Sequence, residues 1–310
     1  MRTKEIIKRL SQGLLLSIIM FVLWFIFLAI FSGTFGLTSD SSAQGNMLQF
    51  MAMLLLICLI NTSVIYYTIL RSRWKGIKLI STITLQIFGI QFFLPLAEVL
   101  IFNYALNMPL NIVMSTLLSG LSMAIAFSFA AAAILGMMRG KSFAEVSNKR
   151  LQMPWHEFLI KFLLLAVIIY PLLYSLAGYF IAWQFEAVRV FYTGSSEKLS
   201  FIQVMIQNFQ ESNLYLMQTL RAALWIGIAL PVIRMLKGKV WETGVVVGLL
   251  FALVMNSQHL IPNSYMPETI RLPHFIETAS SNFIWGAAIV LFMHRHHSSV
   301  ADFFLGSKIK

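Results

Sequence analysis

A single cysteine, Cys58, stands in a chain of 310 residues and lies in an apolar run, which excludes a disulfide-stapled secreted module. Charge is scarce as well. Only 11% of the residues are Asp, Glu, Lys or Arg against 58% hydrophobic, too few charges to keep the surface of soluble domains wet. No P-loop, GxGxxG or HExxH occurs, nor the spacing of a zinc knuckle, so neither cofactor nor metal is expected. Acidic residues number 12 against 23 basic ones, and the resulting formal charge of +11 reads as loop charge facing the cytoplasm, not as affinity for nucleic acid.

What abounds is long apolar runs. Mean hydropathy is +0.79, and a membrane crossing needs about 20 mainly apolar residues. Stretches of that kind cover 12–31, 47–70, 77–101, 112–138, 159–183, 214–236, 240–260 and 275–294. The expected fold is therefore all-α, a polytopic transmembrane bundle of about eight spans with membrane lipids as its immediate partners. Residues 1–9 carry the charge of a signal-peptide n-region, but the apolar run from Leu14 to Phe31 is too long for one and reads as a retained anchor. Of the 23 Lys and Arg, 19 fall on one side of the alternating spans and only Arg189, Lys198, Arg221 and Arg271 on the other. Basic residues near span ends resist translocation, so both termini are expected in the cytoplasm and the protein in the inner (plasma) membrane.

The chain divides into a four-span half at 1–138, a cytoplasmic loop at 139–158, a second four-span half at 159–294 and a cytoplasmic tail at 295–310. The halves can be laid over one another as two four-helix repeats. Each second span ends in a basic turn, Leu70 to Gly76 and Ile233 to Gly238. Gln91-Phe92-Phe93-Leu94-Pro95 parallels Gln258-His259-Leu260-Ile261-Pro262, and Gly120 parallels Gly286. Duplication about an axis along the membrane normal would produce this, as would chance likeness among apolar helices.

Counting 1.5 Å per residue from the basic ends places Gln91 and Arg221 roughly 20 Å up, Gln218 roughly 24 Å and Glu98 roughly 30 Å. Asn256 and Gln258 fall at roughly 26 and 28 Å, Asn282 at roughly 20, Glu277 at roughly 27 and His274 at roughly 31 Å. The polar groups thus gather in the outer part of a core about 30 Å thick. Arg221 carries the most information, because an unpaired arginine at that depth costs at least about 3 kcal/mol. Glu277 is the leading partner and Glu98 the second; the pair either locks helices or holds a guanidinium towards a water-filled pocket.

The segment from His259 to Glu277 is the densest run of functional side chains, stiffened by Pro262, Pro267 and Pro273. With Pro273 in the first turn of the last helix, His274, Glu277 and Ser281 share a face and Asn282 lies beside them. His274 and Glu277 are candidates for a general acid and base. His259 adds a third group of metal-ligand type, but the spacing is weak evidence for a metal, and satisfied polar packing takes the largest share. Candidate ligand contacts are Arg221, Glu98, Gln218, Gln258, His259, Arg271 and Asn282. Glu186 and Arg189 are expected as a solvated pair above the membrane, and His294, His296 and His297 beside lipid headgroups.

Met266-Pro267 through Arg271, His274, Glu277 and Ser281-Asn282-Phe283 through Gly286 resembles an uncharacterised family of bacterial polytopic membrane proteins. The resemblance covers about 25 residues, extends to Ala182-Trp183-Gln184 and Arg189, and carries no activity. Glutamate-type intramembrane proteases are set aside, since Glu268 and Arg271 lack the required paired glutamates. Three functions remain: binding or transport of an anionic or lipid-like small molecule, a membrane-embedded hydrolase or transferase using His274 and Glu277, and a non-catalytic membrane subunit.

Overall fold

The computed structural model describes residues 2–35, 47–101, 108–139, 148–210, 212–262, 266–299 and 302–303. Asn263, Ser264 and Tyr265, residues 140–147 of the 139–158 loop and most of the tail lie outside them. Among the described residues ten helices follow in order: α1 Arg2–Thr34, α2 Met47–Leu70, α3 Gly76–Leu100, α4 Leu110–Ile134, α5 Trp155–Gln184, α6 Glu186–Thr193, α7 Phe201–Gln210, α8 Ser212–Met235, α9 Val240–Leu260 and α10 Glu268–Met293. All but α6 and α7 are long and apolar enough to cross a membrane. Among the described residues there is no strand, only an isolated bridge between Ser72 and Leu236. The chain is an all-α polytopic bundle, the form in which backbone groups bond within their own segment where no water reaches them.

Helices α1 to α4 pack as one group and α5, α8, α9 and α10 as another, joined where α2 meets α9 and α3 meets α8. Small residues set the closest approaches. A Cβ at Gly286 would sit 2.8 Å from the backbone of Gly248, so α9 and α10 touch main chain to main chain. Gly120 on α4 likewise lies under the ring of Phe92 on α3. Within the second group the core is aromatic: Trp225 of α8 and Phe251 of α9 stand 4.1 Å apart, and Tyr170 of α5 and Trp285 of α10 4.9 Å apart, centroid to centroid. A polar tie joins the two groups where α2 meets α9, from Ser257 Oγ to Asn61 Oδ1 at 2.9 Å.

The two basic turns meet. Arg73 N donates to Met235 O and Lys237 N to Arg71 O, both at 2.8 Å, and Gly76 and Gly238 follow with φ of +61° and +95°. Left-handed backbone is cheap only for glycine, so each turn needs one there. Glu242 takes both Arg71 nitrogens, at 2.6 and 2.9 Å, which raises the Arg71 pKa, chiefly through that hydrogen bond. The Arg150 guanidinium donates to the carbonyls of Ile233 and Gly238. At this same end His296 and His297 make contacts within the protein. Glu157 accepts from His296 and from the His297 backbone, and Lys161 meets His297 Nδ1 at 2.7 Å.

Two expectations about helix ends change. The last helix starts at Glu268 behind Pro267 and not near 275, so Pro273 lies inside it. Pro273 is its sixth residue and leaves the Thr269 carbonyl without a helical donor, a loss confined to the second turn. Arg189 is not in a solvated pair with Glu186 but is 8% exposed, donating to the carbonyls of Ser196 at 2.9 Å and Trp183 at 2.7 Å.

Candidate functional site

Three of the spans are not α-helical throughout. Wide π-helical turns occupy Ile87–Phe93 in α3, Leu164–Ile169 in α5 and Leu250–Val254 in α9. Such turns shift every later side chain around the helix, and they recur at functional sites. Here they precede Glu98, the Tyr170 and Tyr174 pair, and Asn256. Pro95 and Pro171 stand just beyond the first two and cannot donate to the carbonyl four residues back. For Pro171 that carbonyl belongs to Val167, and the hydroxyl of Tyr215 donates to it. Asn256 Nδ2 similarly donates to the carbonyls of Phe251 and Ala252, at 3.1 and 3.0 Å.

The outcome is one small polar chamber near the end of the bundle opposite the termini, lined by Glu98, Tyr170, Leu173, Tyr174, Arg221, His274, Glu277, Thr278, Ser281 and Asn282. Its free space, about 20 Å³, holds one or two waters. Arg221 Nη2 donates to Glu98 Oε2 at 2.6 Å, and both side chains are largely buried. The leading expectation for its partner is thereby corrected: Glu277 is held instead by His274, Nδ1 to Oε2 at 2.9 Å, one turn earlier on the same helix. Arg221 also lies 6.0 Å from the Tyr170 ring centre, and its Nε is buried with no hydrogen-bond partner. The chamber therefore holds one fixed cation, two carboxylates and a histidine.

Glu98, Arg221, His274, Glu277 and Asn282 all come together as expected, with the predicted α10 face turned inward. His259 stays just outside, its ring centre 5.3 Å from that of His274 and its Nδ1 3.0 Å from Asn256 O. Tyr192 of α6 covers His274 at 6.4 Å, so α6 roofs the chamber. Three further candidates do not line it either. Gln218, one turn from Arg221, borders a second cavity between α5 and α8; Gln258 is half-buried on the short tight turn that ends α9; and Arg271 is buried below α6, its Nη1 3.5 Å from Met266 O. Among the described residues no three His, Cys, Asp or Glu side chains gather closely enough to hold a metal.

Tyr170, Tyr174 and Thr278 are the polar lining residues that the sequence reading missed. The signal available was two hydroxyl-bearing rings four residues apart astride a proline, in a span that is otherwise apolar. Fold and site together define an integral membrane protein with a buried charged chamber at one end. The chain matches no protein-family profile, no curated protein and no solved structure.

Proposed function

We propose that this protein binds and moves a lipid-like small molecule, with the molecule's polar part seated among Arg221, Glu98, His274 and Glu277. The observation that carries the reading is the buried Arg221–Glu98 pair sharing one chamber with the His274–Glu277 pair. Buried charges of this kind inside a membrane bundle mark substrate or ion paths more often than structure alone. The charge balance favours a lipid-like over an anionic ligand, because an anion would have to displace Glu98 and then face two carboxylates. Both termini are assigned to the cytoplasm, which puts the chamber towards the outer face of a bacterial inner membrane. The Lys and Arg bias supports the orientation, and the resemblance around α10 supports the source. The paired basic turns and the wide turns at matching places in α3 and α9 support duplication of a four-span unit.

The test is the lipid that co-purifies with the detergent-solubilised protein, compared by mass spectrometry with the bulk membrane. The wild type should enrich one lipid class at least about tenfold, and Arg221→Leu should lose that enrichment when equal amounts of folded protein are compared. Tenfold corresponds to about 1.4 kcal/mol, within reach of one charged hydrogen bond. Composition equal to bulk lipid in the wild type would overturn the reading. A hydrolase or transferase is the second reading, favoured by the 2.9 Å contact of His274 with Glu277 beside Ser281. It expects the lipid from His274→Ala to be enriched but chemically intact, where the wild type yields a cleaved or modified product.

A further inference from the structure

The second cavity is larger than the chamber and of a different character. It measures about 260 Å³ and lies between α5 and α8 beneath α7, with walls that include Val167, Ser175, Met205, Tyr215 and Gln218. Tyr174 lines both this cavity and the charged chamber, so one phenol ring separates the two spaces. Two of the walls are membrane-spanning helices. The third, α7, presents Ile202, Ile206 and Phe209 on one exposed stripe, the pattern of a helix lying in the membrane interface. A cavity so placed is reached from hydrocarbon.

Its lining contains one polar anomaly. Gln218 is 2% exposed, and its Oε1 has no hydrogen-bond partner. Leaving a buried carbonyl oxygen unpaired is costly, and an occupant that brings a donor recovers the cost. An apolar space with one unanswered acceptor fits a hydrocarbon chain that carries a hydroxyl or amide N–H near its polar end.

We infer that this cavity is the berth for the chain of a membrane amphiphile, which enters sideways between α5 and α8, bonds Gln218 Oε1 through a hydroxyl or amide, and turns its head past Tyr174 into the chamber. This rests on the proposed lipid-binding function and specifies its ligand: the chain lies in the side cavity, and a donor group sits within about a helical turn of the charged head. Free entry from water is not required.

The experiment uses the full chain in vesicles of phosphatidylethanolamine and phosphatidylglycerol containing one of two photoprobes, a diazirine-bearing hexadecanol or its methyl ether. After irradiation, labelled peptides are mapped. The alcohol should label 167–175 and 205–218 at least about fivefold more than the ether, since only the alcohol can answer the glutamine oxygen. Gln218→Leu, nearly equal in volume, should bring the two probes level, and Met205→Trp or Ser175→Trp should remove labelling by both. Equal labelling of the wild type by alcohol and ether overturns the inference, as does labelling that survives both tryptophan variants. The wild type read in both assays separates this inference from the one it rests on. Alcohol preference with co-purified lipid equal to the bulk membrane leaves the berth standing and removes the chamber; lipid enrichment without alcohol preference removes the berth alone.

Discussion

At the scale of single residues, depth counting was enough to find the charged chamber but not to wire it. An arginine about 20 Å above a basic helix end must have an acidic partner, and both Glu98 and Glu277 lie within reach. What decided between them was His274, whose Nδ1 takes Glu277 at 2.9 Å and leaves Glu98 to Arg221. Competition of that kind depends on side-chain rotation that spacing does not record. The pair also makes a stability prediction. Arg221→Leu strands Glu98 in a largely buried place and should cost about 3 kcal/mol, the low end for breaking a buried pair because Glu98 keeps some exposure. Replacing both by leucine should recover more than half of that, since an apolar pair packs without a stranded charge. Thermal unfolding of the three variants in one detergent reads the difference, and a single-variant cost below about 1 kcal/mol would mean that the pair is solvated.

Among the helices, length and placement were legible and local winding was not. The eight spans follow from hydropathy over windows of about 20 residues, and each expected stretch overlaps its helix. The wide turns in α3, α5 and α9 have no compositional mark apart from Pro95 and Pro171, because a π-turn is settled by packing against neighbours. The start of α10 was misplaced for a related reason: Pro273 fits a first turn, but Pro267 fits the position before one better, and it takes that role. Close helix approach was better signalled, since Gly286 lies where α10 meets the Gly248 backbone. Gly286→Ala should therefore destabilise the protein by about 3 kcal/mol, because a Cβ 2.8 Å from main-chain atoms has nothing flexible to push aside. Gly178 on α5 has open space around its Cβ position, and Gly178→Ala should be neutral or gain up to about 1 kcal/mol. Equal melting temperatures for the two variants would show that α9 and α10 are not held at that contact.

For the molecule as a whole, most of the Lys and Arg residues gather at the end that carries the termini, but their count does not reveal that this end is tied by its own histidines. His297 faces Lys161 of α5, Arg295 and His294 of the adjoining chain, and Asp302 beyond. Burial lowers its pKa first and the neighbouring cations lower it further, to about 4 from an ordinary 6.5. Asp302 moves in the same direction, held well below the carboxylate range chiefly by Arg295, which pairs with it at 2.7 Å. For a histidine with a lowered folded pKa, the unfolded tail binds the proton more readily. The latch is therefore whole above about pH 6.5 and weakens as the pH falls towards 4. Asp302 adds no loss in that window, because its own contribution fails only below the ordinary aspartate pKa. Amide exchange at 296–299 in the intact protein in lipid nanodiscs should accordingly accelerate between pH 6.5 and 4, after correction for the intrinsic rate, while α9 and α10 keep their protection. His297→Gln, which cannot take up the proton, should flatten that dependence. A pH-independent tail in the wild type would mean that the proton finds His297 as readily folded as free.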